Sequence, residues 1–74
     1  METFGGELKK LREEREVSLE ILAQRAGTSP AHCREVEEGR VIPTPMEAFL
    51  LLRALGFPPS EVLEILGSRR HEEP

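Results

Sequence analysis

Residues 18–39, SLEILAQRAGTSPAHCREVEEG, form the segment that most constrains how this chain folds. Apolar residues recur in it at helical spacing, and an Ala-Gly pair separates two short stretches of this kind. Gly27 can adopt the left-handed backbone that ends a helix. Ser29 can cap the next helix, and Pro30 suits the first helical position, where no amide hydrogen is needed. The pattern predicts two short helices joined by a tight turn, with Gly39 ending the second.

The rest of the chain carries start and stop signals of the same type. The pair Thr44–Pro45 repeats the combination of cap and proline, Gly56 ends the helix that follows, and two prolines precede a last apolar stretch. No segment alternates apolar and polar residues as a strand does. We therefore predict an all-α fold, a compact bundle of five short helices. Their expected positions are about residues 6–14, 19–25, 30–38, 45–55 and 58–66, with Gly67 starting a polar tail.

Length and composition exclude several classes of protein. A chain of 74 residues has room for one domain with a small core. No stretch approaches the roughly 20 apolar residues of a membrane span, and the N-terminus does not resemble a signal peptide, so we expect a cytoplasmic protein. Cys33 is the only cysteine, and His32 and His71 fit no metal-ligand spacing. With no nucleophile–base pair and no phosphate loop, we expect neither an enzyme nor a cofactor or metal site.

The two central helices have one face for packing and one face that stays free. Leu22 and Ala23 of the first, with Cys33 and Val36 of the second, have the spacing to lock the pair together. The same spacing makes Cys33 a core residue rather than a redox sensor. A helix that is packed on one side and exposed on the other, with its N-terminus leading, is suited to entering the major groove of DNA.

On these residues the chain resembles the lambda-repressor/Cro-like (XRE-type) helix-turn-helix family of transcriptional regulators. The resemblance covers about residues 4–66, and its pieces are ELKKLREEREVS, EILAQRAGTSP, REVEEG, PTPMEAFLLLRALGF and SEVLEIL, in the family's order and spacing. It implies a lambda repressor-like DNA-binding domain over residues 1–67 and a polar tail over residues 68–74. It also implies a structural ion pair between Arg12 of the first helix and Glu37 near the end of the recognition helix.

The family's DNA contacts map onto positions in and around the two central helices. The resemblance implies that helix starts and loop residues contact phosphates, and that the outer side of the recognition helix faces bases. The implied DNA-binding residues are Ser18, Ser29, Pro30, Ala31, His32, Arg34, Glu35, Arg40 and Thr44. Three of them have a second interpretation: His32 or Glu35 as a solvated side chain, and Arg34 paired with Glu37 or Glu38. Lys9, Lys10 and Arg15 are expected on a solvated face, with a flanking phosphate as the alternative partner of Lys9 or Lys10. Arg69, Arg70 and His71 are expected in a frayed tail, with contact along DNA as the alternative.

Departures from the family pattern weaken the expected contacts with DNA. Leu19 stands where the family often has a glutamine that reaches a phosphate, and Pro30 and Ala31 cannot hydrogen-bond a base edge. Glu35 is able to accept from cytosine N4 but repels phosphates. The net charge is −4, and the loop after Gly39 carries only one basic residue. We therefore expect weak, salt-sensitive binding to double-stranded DNA.

Two further expectations concern partners. The apolar stripe of the last helix exceeds what so small a core needs, which predicts a homodimer surface formed by Val62, Leu63, Ile65 and Leu66; the alternative is that this helix only seals the domain. The rival function, favoured by the acidic charge, is a protein-interaction module on the same fold. An antirepressor, an antitoxin or an accessory subunit would be of this kind.

Overall fold

The computed structural model describes residues 3–70, with side chains as far as Gly67. Five α-helices follow one another: α1 (Phe4–Glu14), α2 (Leu19–Ala26), α3 (Pro30–Glu37), α4 (Pro45–Ala54) and α5 (Pro59–Arg70). Within residues 3–70 there is no strand. The predicted all-α class and the number of helices are confirmed.

Side-chain caps explain where four of the helices begin. In each case a hydroxyl oxygen accepts a hydrogen bond from the backbone amide three residues later, at 3.0–3.1 Å. The capping residues are Thr3, Ser18, Ser29 and Thr44. The last three are helix starts that the sequence predicts. The cap at Thr3 is not among the predicted starts. Because Thr3 caps the helix, α1 begins at Phe4, two residues before its predicted start.

Two helix ends show how the chain turns. Gly27 takes the left-handed backbone at φ 75°, and the amide of Thr28 donates to the carbonyl of Ala23 at 2.9 Å, which closes α2. After α1 the corresponding left-handed residue is Glu16, at φ 56°. A side chain disfavours this conformation, so the sequence gives no sign of it.

At the other end of the chain, α5 continues to Arg70 and not only to the predicted boundary at Gly67. Residues 71–74 of the predicted tail lie outside the described part.

The core lies where α1, α2, α3 and α4 meet, and α5 covers it from the side of α4. Its fully buried side chains are Leu8, Leu22, Cys33, Val36, Leu51, Leu52 and Val62. Cys33 is a core residue, and burial raises the pKa of its thiol, with the carboxylates of Glu37 and Glu47 acting in the same direction. The neutral thiol therefore acts as a small apolar side chain.

Three arginines bind carbonyl groups at the C-terminal end of α4. Arg15 donates to Leu55 O at 3.4 Å, Arg25 to Ala54 O at 3.3 Å, and Arg53 to Phe57 O at 2.7 Å. Arg15 and Arg25 satisfy carbonyls that the end of α4 leaves unpaired, whereas Arg53 binds the carbonyl of Phe57 in the loop just after it, and the three cations lie at the negative end of the helix dipole. The guanidinium of Arg15 also lies 3.9 Å from the centroid of the Phe57 ring. Arg15 is exposed, as expected, but it also makes these two contacts within the protein.

The backbones of α1 and α3 approach each other closely at Gly5. This residue is buried, and a Cβ atom built on it would collide with the carbonyl oxygen of Val36 and lie 2.9 Å from that of Glu37. Only a residue without a side chain fits at this crossing. Gly5 therefore sets how deeply α3 is seated against α1.

Candidate nucleic-acid interface

The helix-turn-helix is formed by α2 and α3, which are packed through the four residues that the sequence singles out. Leu22 and Ala23 of α2 and Cys33 and Val36 of α3 are each at most 1% exposed and belong to one apolar cluster. The tight turn at Gly27 leaves the N-terminus of α3 at the surface. Packing thus fixes the inner face of α3 and leaves its outer face free.

The inner face of α3 is also held by an ion pair to α1. Arg12 Nε lies 2.7 Å from Glu37 Oε2, and Arg12 Nη2 lies 3.1 Å from Glu37 Oε1. Arg12 Nη1 also donates to the carbonyl of Val17 at 2.8 Å. The side chains are only 12% and 4% exposed, so the two charges are largely removed from water. The hydrogen bonds to Glu37 raise the pKa of Arg12, which keeps the guanidinium charged.

The outer face of α3 is an exposed stripe along the helix. Its members are Pro30, Ala31, Arg34, Glu35 and Glu38, the last being the C-cap residue. Four of these five residues are among the implied DNA contacts. Pro30 and Ala31 offer only carbon atoms, so any polar recognition falls to the second half of the stripe.

His32 does not belong to this free stripe. Its Nε2 lies 2.5 Å from Oε2 of Glu47 in the first turn of α4, and both side chains are about one-third exposed. The interpretation of His32 as a merely solvated residue was wrong, and its ring is engaged within the protein rather than extended toward a ligand. Glu47 is a residue that sequence reasoning missed. The caps of α3 and α4 can be recognised in the sequence, but nothing in the sequence indicates that the first turns of these two helices lie side by side.

The basic residues of α3 and its following loop differ in how they are engaged. Arg40 lies beside Glu38, with Nε 3.3 Å from Oε1, in an exposed pair of the kind that contributes little to stability. Glu38 pairs with Arg40 and not with Arg34. Within residues 3–67, the Arg34 side chain takes part in no ion pair. The alternative that Arg34 is neutralised by Glu37 or Glu38 was therefore wrong.

Many of the cations in the chain are used to hold the fold together. Ten residues are Lys or Arg. Among the side chains of residues 3–67, four of these cations make internal hydrogen bonds, namely Arg12, Arg15, Arg25 and Arg53. The cations left to meet phosphates from α3 and its following loop are therefore Arg34 and Arg40, with Lys9 and Lys10 exposed on α1. This supply is small for a surface that has to approach a polyanion.

The implied phosphate contacts at helix starts coincide with the caps. Ser18, Ser29 and Thr44 are exposed, and each hydroxyl accepts from an amide of its own helix. A capped helix N-terminus carries partial positive charge from the helix dipole, which favours a phosphate there. Leu19, which stands in place of the family's glutamine, is partly buried and packs against the core. Its side chain thus stabilises the domain and is not directed at a ligand.

An apolar groove runs beside the loop that follows α3. It is lined mainly by Phe4, Ile42, Met46, Phe49, Leu63 and Leu66. Ile42, Met46 and Leu63 are the most open of these, at 90%, 66% and 62% exposure. The groove includes Leu63 and Leu66 of the predicted dimer surface. Val62 does not contribute, because it is fully buried in the core, and Ile65 is partly buried against the same cluster; including Val62 in that surface was wrong.

Two structural features are absent from the described residues. No helix among them is both long and apolar enough to cross a membrane. The same residues contain no group of three or more His, Cys, Asp or Glu side chains arranged to hold a metal ion.

Comparison with known proteins identifies the family. Residues 3–65 match the family model described as a helix-turn-helix domain. The chain is also similar to the HTH-type transcriptional repressor RghR of Bacillus subtilis (strain 168), with 41% identity over 59 residues. The match covers 78% of the present chain and 44% of the length of RghR. The region matched by the family model includes the start of every helix described above and the whole α2–α3 unit. This chain belongs to the XRE-type helix-turn-helix family of DNA-binding transcription regulators.

Proposed function

We propose that this chain regulates transcription, as a repressor, by placing the exposed stripe of α3 in the major groove of double-stranded DNA. The observation that carries the proposal is the exposure of this stripe on a helix whose opposite face is locked by core packing and by the Arg12–Glu37 pair. The name of the relative RghR supports repression. In this function the chain has no catalytic role, and a DNA partner fits the cytoplasmic location expected from the sequence.

The phosphate contacts are assigned to Arg40 and to the starts of α2, α3 and α4. With only a few cations available for each copy, we expect a low affinity that weakens further as the salt concentration rises. Each neutralised phosphate contributes roughly 0.9 to the slope of log K against log salt concentration. A single copy should therefore bind DNA measurably at low salt and poorly at physiological salt.

Replacing Arg40 with glutamine tests this assignment. We expect the affinity for mixed-sequence duplex DNA to fall several-fold at about 50 mM salt, and the salt slope to decrease by about 1, because one phosphate contact is lost. Fluorescence anisotropy across a salt series measures both quantities. Ser60→Glu is the matched control: it makes the same change in net charge at an exposed position in α5. Absence of binding at low salt, or equal effects of the two variants, contradicts the assignment.

We infer in addition that two copies pair through the apolar groove. The groove is lined by uncharged, mostly apolar side chains, so that two copies can bury it against each other without leaving a charge unpaired. It borders the loop that leads from α3 to α4, through Ile42 and Pro43. A two-fold pair would present its helices to half-sites about 34 Å apart and would double the few contacts that one copy makes.

The pairing predicts a change in mass with one substitution. Leu63→Glu places a charge in the groove and should convert a dimer to a monomer, with a corresponding loss of DNA affinity, because a buried unpaired carboxylate is costly. Sedimentation equilibrium over a range of concentrations measures the association. Leu50→Glu is the control, since Leu50 is 44% exposed but lies outside the groove. If the unmodified protein remains monomeric both free and on DNA, the pairing is wrong.

The rival function is a protein-interaction module with little affinity for DNA. It is favoured by the net charge of −4 and by the four arginines that internal contacts consume. The salt series described above separates the two functions. An interaction module would show no DNA binding even at low salt.

A further inference from the structure

The polar end of the α3 stripe determines which bases this surface is able to read. Of the five exposed stripe residues, Arg34, Glu35 and Glu38 carry hydrogen-bonding side chains. Glu38 is the C-cap residue, at the end of α3 farthest from the leading N-terminus and beside Arg40, and the neighbouring His32 is held by Glu47. Within residues 3–67, Arg34 and Glu35 are therefore the two charged side chains of the stripe that take part in no ion pair.

Glu35 carries the strictest chemical requirement. An ionised carboxylate only accepts hydrogen bonds, so in the major groove it needs a donor. The donors there are the amino groups of cytosine and adenine. In adenine the amino group lies beside N7, an acceptor whose lone pair repels a carboxylate. Cytosine presents its N4 amino group without that neighbour, and it is therefore the base that suits Glu35.

Arg34 has the complementary requirement. A guanidinium only donates, and guanine offers two adjacent acceptors, O6 and N7, that match its fork. The two residues are consecutive on α3 and both are exposed, and their side chains diverge by about 100° around the helix, so that they can reach different bases. The charges of Arg34 and Glu35 also balance, which reduces the repulsion between Glu35 and the phosphates.

We propose that Arg34 and Glu35 together make the DNA half-site specific for G·C pairs, with Arg34 binding guanine O6 and N7 and Glu35 accepting from cytosine N4. Ala31, one turn before Glu35, offers only a methyl group and adds an apolar contact where a thymine methyl is present. This specificity rests on the proposed DNA-binding function and deepens it by naming the bases that are read.

Selection from a random duplex pool tests the assignment, because it requires no known operator sequence. The full chain is bound at low salt, and the enriched sequences are read out. We expect a recurrent G·C motif. Arg34→Ala should reduce discrimination for guanine by about 5- to 150-fold, the range for one good bidentate contact. Glu35→Gln should exchange cytosine for adenine at one position, because an amide both donates and accepts and so matches adenine N6 and N7.

Glu38→Gln is the matched control for Glu35→Gln. It removes the same charge from the same helix, and we expect it to alter affinity but not the selected bases. Circular dichroism of each variant verifies that the exposed substitutions leave the fold intact. If the unmodified protein binds DNA but enriches no G·C motif, or if Glu35→Gln selects the same bases as before, the readout proposal is overturned and the DNA-binding function stands. Absence of DNA binding overturns both.

Discussion

Replacing Glu37 with alanine is expected to lower the free energy of unfolding by about 3–5 kcal/mol, the usual cost of removing one partner of a buried ion pair. The Arg12 side chain, which is only 12% exposed beside Glu37, would lose the two hydrogen bonds, of 2.7 and 3.1 Å, that now compensate its desolvation. For a small domain this is a large fraction of the total stability. Urea unfolding followed by far-ultraviolet circular dichroism measures the change.

Two further variants test whether the loss of stability comes from breaking the Arg12–Glu37 pair or merely from removing a carboxylate near the end of α3. Glu38→Ala removes an exposed carboxylate next to Glu37 and should change stability by no more than about 0.5 kcal/mol. The double variant Arg12→Met, Glu37→Leu removes both charges and should recover most of the loss, although Val17 O then lacks its donor. If Glu37→Ala is no more destabilising than Glu38→Ala, the ion pair does not hold α3 in place.

The pH dependence of this pair follows from the Arg12 side. Hydrogen bonds to Glu37 raise the pKa of Arg12 above its ordinary value. A group whose pKa is raised on folding contributes stability that is complete below its unfolded pKa and is lost only as the pH rises through the folded value. For an arginine both values lie far above neutral. Between neutral and moderately alkaline pH, titration of Arg12 should therefore not weaken the attachment of α3 to α1.

Gly5→Ala is expected to destabilise the protein by about 2–3 kcal/mol, at the upper end of the range for overpacking. The added methyl group would collide with the carbonyl oxygen of Val36 and approach that of Glu37, and neither atom is free to rotate away as a side chain would be. The backbones of α1 and α3 would have to separate. Because α3 carries the exposed stripe, the same shift should weaken DNA binding at temperatures where the variant is still folded.

Gly67→Ala is the matched control for this clash. Gly67 is also helical, but a Cβ atom there has no neighbour within 4 Å. On helix propensity alone, glycine to alanine in a helix stabilises by up to about 1 kcal/mol. We expect thermal and urea midpoints to fall for Gly5→Ala and to remain or rise for Gly67→Ala. Equal midpoints for the two variants would show that α1 and α3 separate without cost.

Local signals in the sequence predict most of the helix boundaries. Ser18, Ser29 and Thr44 cap helices where expected, because a cap depends on an amide only three residues away. The missed boundaries also have local causes. Thr3 caps α1 before the first apolar residue that marks the helix, and Glu16 adopts a conformation that normally indicates glycine.

The candidate site likewise has features that the sequence predicts and features that it does not. The exposed positions Pro30, Ala31, Arg34 and Glu35 follow from the period of α3, since Cys33 and Val36 fix its buried side. Which of the polar side chains are free does not follow from that period. Arg34 has Glu37 and Glu38 as acidic neighbours, and only the structure shows that Glu37 pairs with Arg12 and Glu38 with Arg40 instead.

The sequence by itself determined the α2–turn–α3 segment that constrains this fold, together with the family to which it belongs. The tertiary structure decided which residues this segment and its neighbours meet: Glu47 beside His32, the Phe57 ring beneath Arg15, and the backbone of α3 against Gly5. The physical reason is range. Caps and helical periodicity act within a few residues of the chain, whereas the His32–Glu47 and Arg15–Leu55 hydrogen bonds join residues 15 and 40 positions apart. Contacts at such separations form only when packing of the core brings the helices together.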